Sequence, residues 1–323
     1  MRKLVIFAAV FAALFSFHSP AFAQALPSQV LALYPRQTGE LVFLDLRSLR
    51  HSPNYAQLKT QVLPERFRQL AEWTRYIGID FDSEVHQLSW GFLPASGGEQ
   101  VGLVGVAEGN FPPGEVERLV KERQLPHTRH AGALVLNLGK NDQGREFVFA
   151  FFDPSTAIFG FRDLVEEILN RRASSGASLL DNRPLMDLVR QLNGKSPVWF
   201  ALDSQFTFLA VKQLLPEISR VAGFETLAAR LQTAALQLRF SEGFRGQAAL
   251  RCQNSSDALV VAKLLQAAVT YQAFRLNESN PDLARVLEAL RMAQQDERVE
   301  IALTIAQAEL STLLQKNSLA LKF

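Results

Sequence analysis

Ala234-Ala235-Leu236-Gln237-Leu238-Arg239-Phe240, then Ser241-Glu242-Gly243, then Phe244-Arg245-Gly246-Gln247-Ala248-Ala249-Leu250-Arg251-Cys252, form one run in which apolar and polar side chains largely alternate on both sides of a three-residue break. A period of two is that of a strand, whose successive side chains point to opposite faces. A short break containing glycine joins two such runs as a hairpin. The spacing therefore places Leu236, Leu238, Phe240 and Leu250 on one face, joined by Val299, Ile301 and Leu303 of a later alternating segment. Gln237, Arg239, Arg245, Gln247, Arg251, Glu300 and Thr304 fall on the other. One face is read as core and the other as polar, as in an antiparallel sheet with one solvated side.

Outward from this hairpin the period switches repeatedly between two and 3.6, which marks a mixed chain. Downstream, residues 257–276 read as a long helix and Asn280-Pro281 opens another, since proline suits the first helical position. Residues 299–305 are a strand and residues 311–315 a helical turn. Upstream, a strand at Val198–Leu202 precedes Ser204, an expected N-cap, and a helix over residues 206–231 interrupted near Pro216 and Gly223. Earlier still, the strand Glu40–Asp45 is followed by a helix over residues 64–77. Strands at Val85–Leu93 and residues 100–107 come next, joined by the turn at residues 95–98. A helix at residues 114–123 leads to strands at residues 133–138, 146–152 and 156–161, and then to a helix at residues 163–171. The small, polar stretch at residues 172–178 is the expected linker, with a short helix at residues 185–192 after it.

Set side by side, residues 24–175 and 176–323 each read β-α-β-β-α-β. The expected fold class is α+β: two ferredoxin-like (split βαβ) halves, with mainly antiparallel sheets and helices on one face. The stretch Asn182-Arg183-Pro184-Leu185-Met186-Asp187-Leu188 and the apolar strand Val198-Trp199-Phe200 carry a likeness to known sequences. On them, the chain resembles uncharacterised exported bacterial proteins built from two ferredoxin-like halves. That resemblance implies internal duplication, and neither an activity nor catalytic residues.

Residues 1–23 read as a cleavable secretory leader: Arg2 and Lys3, an apolar run from Leu4 to Phe17, and Ala21-Phe22-Ala23 before the expected cut. The apolar run is shorter than the roughly 20 residues that span a bilayer, so the expectation is a mature chain without a membrane span, periplasmic or secreted. Losing Arg2 and Lys3 balances the 34 basic and 32 acidic residues, and a neutral mature chain argues against nucleic-acid binding. Cys252 is the single cysteine, so packing rather than a disulfide must hold the fold.

Catalytic patterns are weak. His51, His86, His127 and His130 follow no metal-ligand spacing, and they are expected on exposed loops. Ser89 lies in a strand instead of a nucleophile turn, and Cys252 alternates onto the apolar side. Gly102, Gly105 and Gly109 interrupt a strand, where backbone meets a close neighbour, and do not open a helix as a dinucleotide loop does. Glu166-Glu167 and the pair Asp80 and Asp82 read as a solvated helix face and a turn. Phe147, Phe149 and Phe151 alternate with Val148, Ala150 and Phe152, so this strand should be buried on both sides. No cofactor is expected. Arg239, Arg245 and Arg251 are the candidate face for an acidic or anionic envelope partner, because the guanidinium fork matches carboxylate or phosphate. The leading expectation is a non-catalytic binding or scaffold protein. An envelope enzyme with a site assembled from distant residues and a carrier of a hydrophobic ligand are the alternatives.

Overall fold

The computed structural model describes residues 24–61, 71–72, 74–94, 101–141, 143–171, 176–214, 225–226 and 229–316. The expected leader, most of the linker at residues 172–178, the turn at residues 95–98, much of the helix at residues 64–77, and the interruptions at Pro216 and Gly223 lie outside them.

The strands are β1 (Glu40–Asp45), β2 (Val85–Leu93), β3 (Gly102–Gly109), β4 (His127–His130), β5 (Ala133–Lys140), β6 (Glu146–Asp153), β7 (Thr156–Phe161), β8 (Val198–Leu202), β9 (Leu231–Arg239), β10 (Gly243–Cys252), β11 (Arg291–Gln295) and β12 (Arg298–Ala306). All join one sheet in the order β11-β12-β10-β9-β8-β1-β2-β3-β7-β6-β5-β4, and every neighbouring pair is antiparallel. The helices are α1 (Ser28–Leu31), α2 (Leu46–Arg50), α3 (Tyr55–Gln61), α4 (Phe81–Glu84), α5 (Pro113–Glu122), α6 (Arg162–Arg171), α7 (Arg183–Leu192), α8 (Ser204–Leu214), α9 (Ser255–Ser279), α10 (Pro281–Glu288) and α11 (Gln307–Gln315).

The mixed, antiparallel α+β class is as expected, but the connectivity is not ferredoxin-like. A split βαβ inserts its third strand between the first and the second, and those two run parallel to each other. Here β1 is flanked by β2 and β8, both antiparallel to it. Each half instead runs strand, helix, hairpin, helix and meander, and the last strand returns beside the second hairpin strand: β7 on β3, and β12 on β10. The two leading strands, β1 and β8, pair with each other, so the halves share one sheet.

Helices also cover more than the single face expected. Over the first half and the junction, α6 and the second half's α7 bury Val165, Ile168, Leu185 and Val189 on one side of the sheet, against Phe43, Val104, Val148 and Trp199. On the other side, α5 buries Val116 and Val120 in the cluster that holds Leu88, Leu136, Phe149 and Phe159. This explains why β6 is apolar throughout its middle: Val148, Phe149, Ala150 and Phe151 are all buried, two on each side. In the second half, α8 and α9 close the apolar face over Leu231, Leu250, Cys252 and Val299, while α11 adds Leu310, Leu313 and Leu314 to the neighbouring cluster.

Local capping explains several boundaries. Asn280 accepts from Leu283 N at 3.1 Å and Pro281 follows as the first helical residue of α10, as read from the sequence. Before α8 the cap is Asp203, not Ser204: its carboxylate accepts from Phe206 N at 3.0 Å. Asn182 accepts from Leu185 N to start α7, and its amide donates to the carbonyls of Arg36 and Thr38 at 3.1 and 3.0 Å. The Asn182–Leu188 stretch is thus a helix start tied to the segment that leads into β1.

Candidate binding face

In the second half, no helix among the described residues covers most of the other side of the sheet, and the residues on that side follow directly from register. Arg245 lies between Arg239 and Thr304, Gln247 between Gln237 and Ala302, Ala249 between Ala235 and Glu300, and Arg251 between Thr233 and Arg298. The edge strand β11 adds Arg291, Ala293 and Gln295 opposite Ala302, Glu300 and Arg298. Arg239, Arg245 and Arg251 therefore share one face, and Arg291 and Arg298 extend it. Arg245, Arg251, Arg291 and Arg298 are exposed, whereas Arg239 is half-buried.

These arginines are not equally engaged. Arg239 donates to the Lys195 carbonyl at 2.6 Å, and Arg251 pairs with Glu297 at 2.6 Å. Arg245, Arg291 and Arg298 have no ion-pair partner among the described residues. Glu300 is the one acidic side chain that the register puts on this face among β9, β10, β11 and β12, so the patch is cationic on a chain that is otherwise near neutral. Guanidinium groups on adjacent strands, spaced by the sheet and outnumbering the carboxylates beside them, suit a row of carboxylates or phosphates on another molecule.

Sequence reasoning missed Arg291 because β11 is short and polar, and Arg298 because it stands one residue ahead of the alternating segment that begins at Val299. The Asp296-Glu297 turn, with Asp296 at φ 49°, was the available signal for a second hairpin.

The remaining candidates take ordinary structural roles. Ser89 is buried and accepts a hydrogen bond from the Tyr34 hydroxyl at 2.6 Å; burial raises the Tyr34 hydroxyl far above its usual range. Cys252 is buried, with burial and then Asp257 pushing its thiol up to about 11. His127 and His130 lie on the edge strand β4, where the first meets the Leu125 carbonyl at 2.8 Å and the second Asn170 Oδ1 at 2.9 Å. His86 accepts from Arg47, and burial together with the nearby Arg47 and Arg50 lowers its pKa. Glu166 and Glu167 pair with Arg162 and Arg171 along α6. Asp80 caps α4, and Asp82 pairs with Lys59 at 2.6 Å. A side chain at Gly105 would meet the Phe159 ring at 2.2 Å, and one at Gly109 the Glu84 carbonyl at 2.2 Å, which is the close packing expected there.

The phenylalanine cluster is packed ring against ring. Phe149 and Phe151 meet edge-on at 5.1 Å, Phe147 meets Phe161 at 6.2 Å, and Arg145 lies 3.8 Å over Phe161. A pocket of about 190 Å³ beside Phe151 and Phe152 is crossed by the Glu117–Arg129 ion pair at 2.7 Å. That is below the roughly 300–1,000 Å³ usual for ligand sites.

One titratable group escaped the sequence reading. Glu40 stands on the helix-covered face, opposite Phe92 and Leu202. Burial and then the nearby Asp203 raise its pKa to about 7. Asp203 is itself raised by burial, against the opposing backbone N–H groups of Phe206 and Gln205. No group of three or more His, Cys, Asp or Glu residues able to hold a metal occurs among the described residues. Nor is any helix there long and apolar enough to cross a membrane.

No protein-family model and no curated protein matches this sequence. Among solved structures, crystal form I of TP0453 aligns with a TM-score of 0.49 and 10% identity, over 92% of this chain and 98% of that one.

Proposed function

We propose that the mature chain is an exported, non-catalytic binding protein of the bacterial envelope that presents the bare face of β9, β10, β12 and β11 to an acidic protein partner. The observation that carries this reading is the row of exposed arginines on a sheet face that no described helix covers over most of its width, three of them without an ion-pair partner among the described residues. An antiparallel sheet can keep one face in water, but a solvated face is usually mixed in sign. The common order of elements in the two halves supports a duplicated ancestry, in which one copy kept helices on both faces and the other left a face open.

The test is affinity capture from the native envelope with wild type and two variants, Arg239→Ala/Arg245→Ala/Arg251→Ala and Arg245→Ala/Arg291→Ala/Arg298→Ala. Both variants should lose capture of the same acidic partner, and the second should lose more because its arginines have no ion-pair partner among the described residues. Capture should fall steeply with added salt in wild type and less steeply in the variants. Unchanged capture by both variants would reject the reading.

A further inference from the structure

Asp45 ends β1 and is buried, 1% exposed. Its Oδ1 accepts from Ser48 N at 3.1 Å and its Oδ2 from Ser48 Oγ at 2.6 Å, both neutral donors. No cationic side chain among the described residues pairs with it. The third donor is the backbone nitrogen of Gln24, 3.0 Å from Oδ2. Gln24 is also the residue directly after the expected leader cut. The chain is then gripped at once: Leu26 N donates to Asn193 Oδ1 at 2.7 Å, Asn193 Nδ2 donates back to the Leu26 carbonyl at 2.9 Å, and Leu26, Val30, Leu31 and Tyr34 are buried.

A buried carboxylate is costly without a counter-charge. We propose that removal of the leader supplies one: the new α-ammonium of Gln24 becomes the ion-pair partner of Asp45 and fastens the N-terminal segment to the sheet. The inference rests on cleavage after Ala23. Hydrolysis of that peptide bond gives the hydroxyl of water to the Ala23 carbonyl carbon and a proton to the Gln24 nitrogen, which takes another proton from solvent. The atom already in contact with Asp45 thus changes from a neutral amide donor into a cation without moving. Opposite Asp45 in the sheet lies the neutral Gln87, with Glu108 beyond it on β3. On α2, Arg47 is engaged with His86 Nδ1, and Arg50 with the Phe81 and Val85 carbonyls. Lys195 lies two residues before Pro197, whose carbonyl accepts from Asp45 N at 2.7 Å.

A second consequence follows from the same pair. A free N-terminal glutamine cyclises when its uncharged α-amine attacks the side-chain Cδ, forming the C–N bond as ammonia leaves. Holding that nitrogen as an ammonium on Asp45 should slow this reaction in the folded protein.

The experiment compares a protein beginning at Gln24, released by a scarless cut from an N-terminal fusion, with one carrying Gly-Ser before Gln24, each with and without Asp45→Asn. The Gln24-start form should melt several degrees higher than the extended one at pH 7. Asp45→Asn should erase that difference and speed ammonia loss, followed by intact mass. Equal melting of the two wild-type forms, or a difference that survives Asp45→Asn, overturns the pair. Should Asp45→Asn fail to fold, the Gln24 α-amine pKa in the wild-type protein decides: a value raised above the ordinary 8 or so supports the pair, and an ordinary value overturns it. The N-terminal mass of the exported protein tests the leader reading separately, and a start other than Gln24 refutes that premise whatever the melting shows.

Discussion

The rings of Phe43 and Trp199 stack with centroids 5.4 Å apart and planes 26° from parallel, at directly opposed positions of β1 and β8. Both side chains are fully buried, so the seam between the halves is an aromatic contact as well as a hydrogen-bonded ladder. Trp199 Nε1 is buried there with no hydrogen-bond partner. Trp199→Ala should cost roughly 3–5 kcal/mol by emptying the site. Trp199→Phe should cost much less, because it also removes an unpaired buried donor. Urea unfolding measures both, and equal losses would contradict the packing described.

Glu40 predicts an unusual pH dependence. Its folded pKa of about 7 lies above the ordinary value of 4.5, so folding takes up a proton between those limits. Stability from this group is complete below about pH 4.5 and declines as pH rises through 7. Glu40→Gln should flatten the profile across that window and melt higher than wild type at pH 8. A variant that melts lower at pH 8 would show that the ionised carboxylate is favoured.

Gly160 has φ 143°, and a Cβ there would lie 2.4 Å from the Leu103 carbonyl oxygen and 2.8 Å from Val104 Cα. Backbone cannot yield as a side-chain tip can. Gly160→Ala should destabilise by about 3 kcal/mol, at the upper end of overpacking effects, whereas Gly114→Ala, which meets nothing within 4 Å, should be nearly neutral. Paired denaturant melts test the contrast.

Cys252, buried and shifted to about 11, should resist an aromatic disulfide reagent at pH 8 in the folded protein. Being the single cysteine, it should release one equivalent once urea unfolds the chain. Rapid labelling of native protein would mean that the second-half core opens on the labelling timescale.

Much of this structure was readable where one side of an element meets water. The β9–β10 hairpin and β12 alternate because their faces differ, and the arginines fell on the face assigned to them. Pairing was not readable, since β-α-β-β-α-β fits both a split βαβ and the meander-closed order found here. Only contacts across long sequence separations, such as β1 with β8, choose between them. The edge strands β4 and β11 escaped because they are short and largely exposed, so neither side had to be apolar. Glu40 escaped because its shift comes from burial and then from Asp203, which the chain brings together only on folding.

The β1–β8 pair also fixes how the molecule comes apart. A single unbroken ladder crossing the junction leaves no hinge at which one half could melt alone, so calorimetry should record one endotherm. Whatever occupies the arginine face would then protect amides at the far edge, in β4 and β5, from exchange by global opening, although it touches neither.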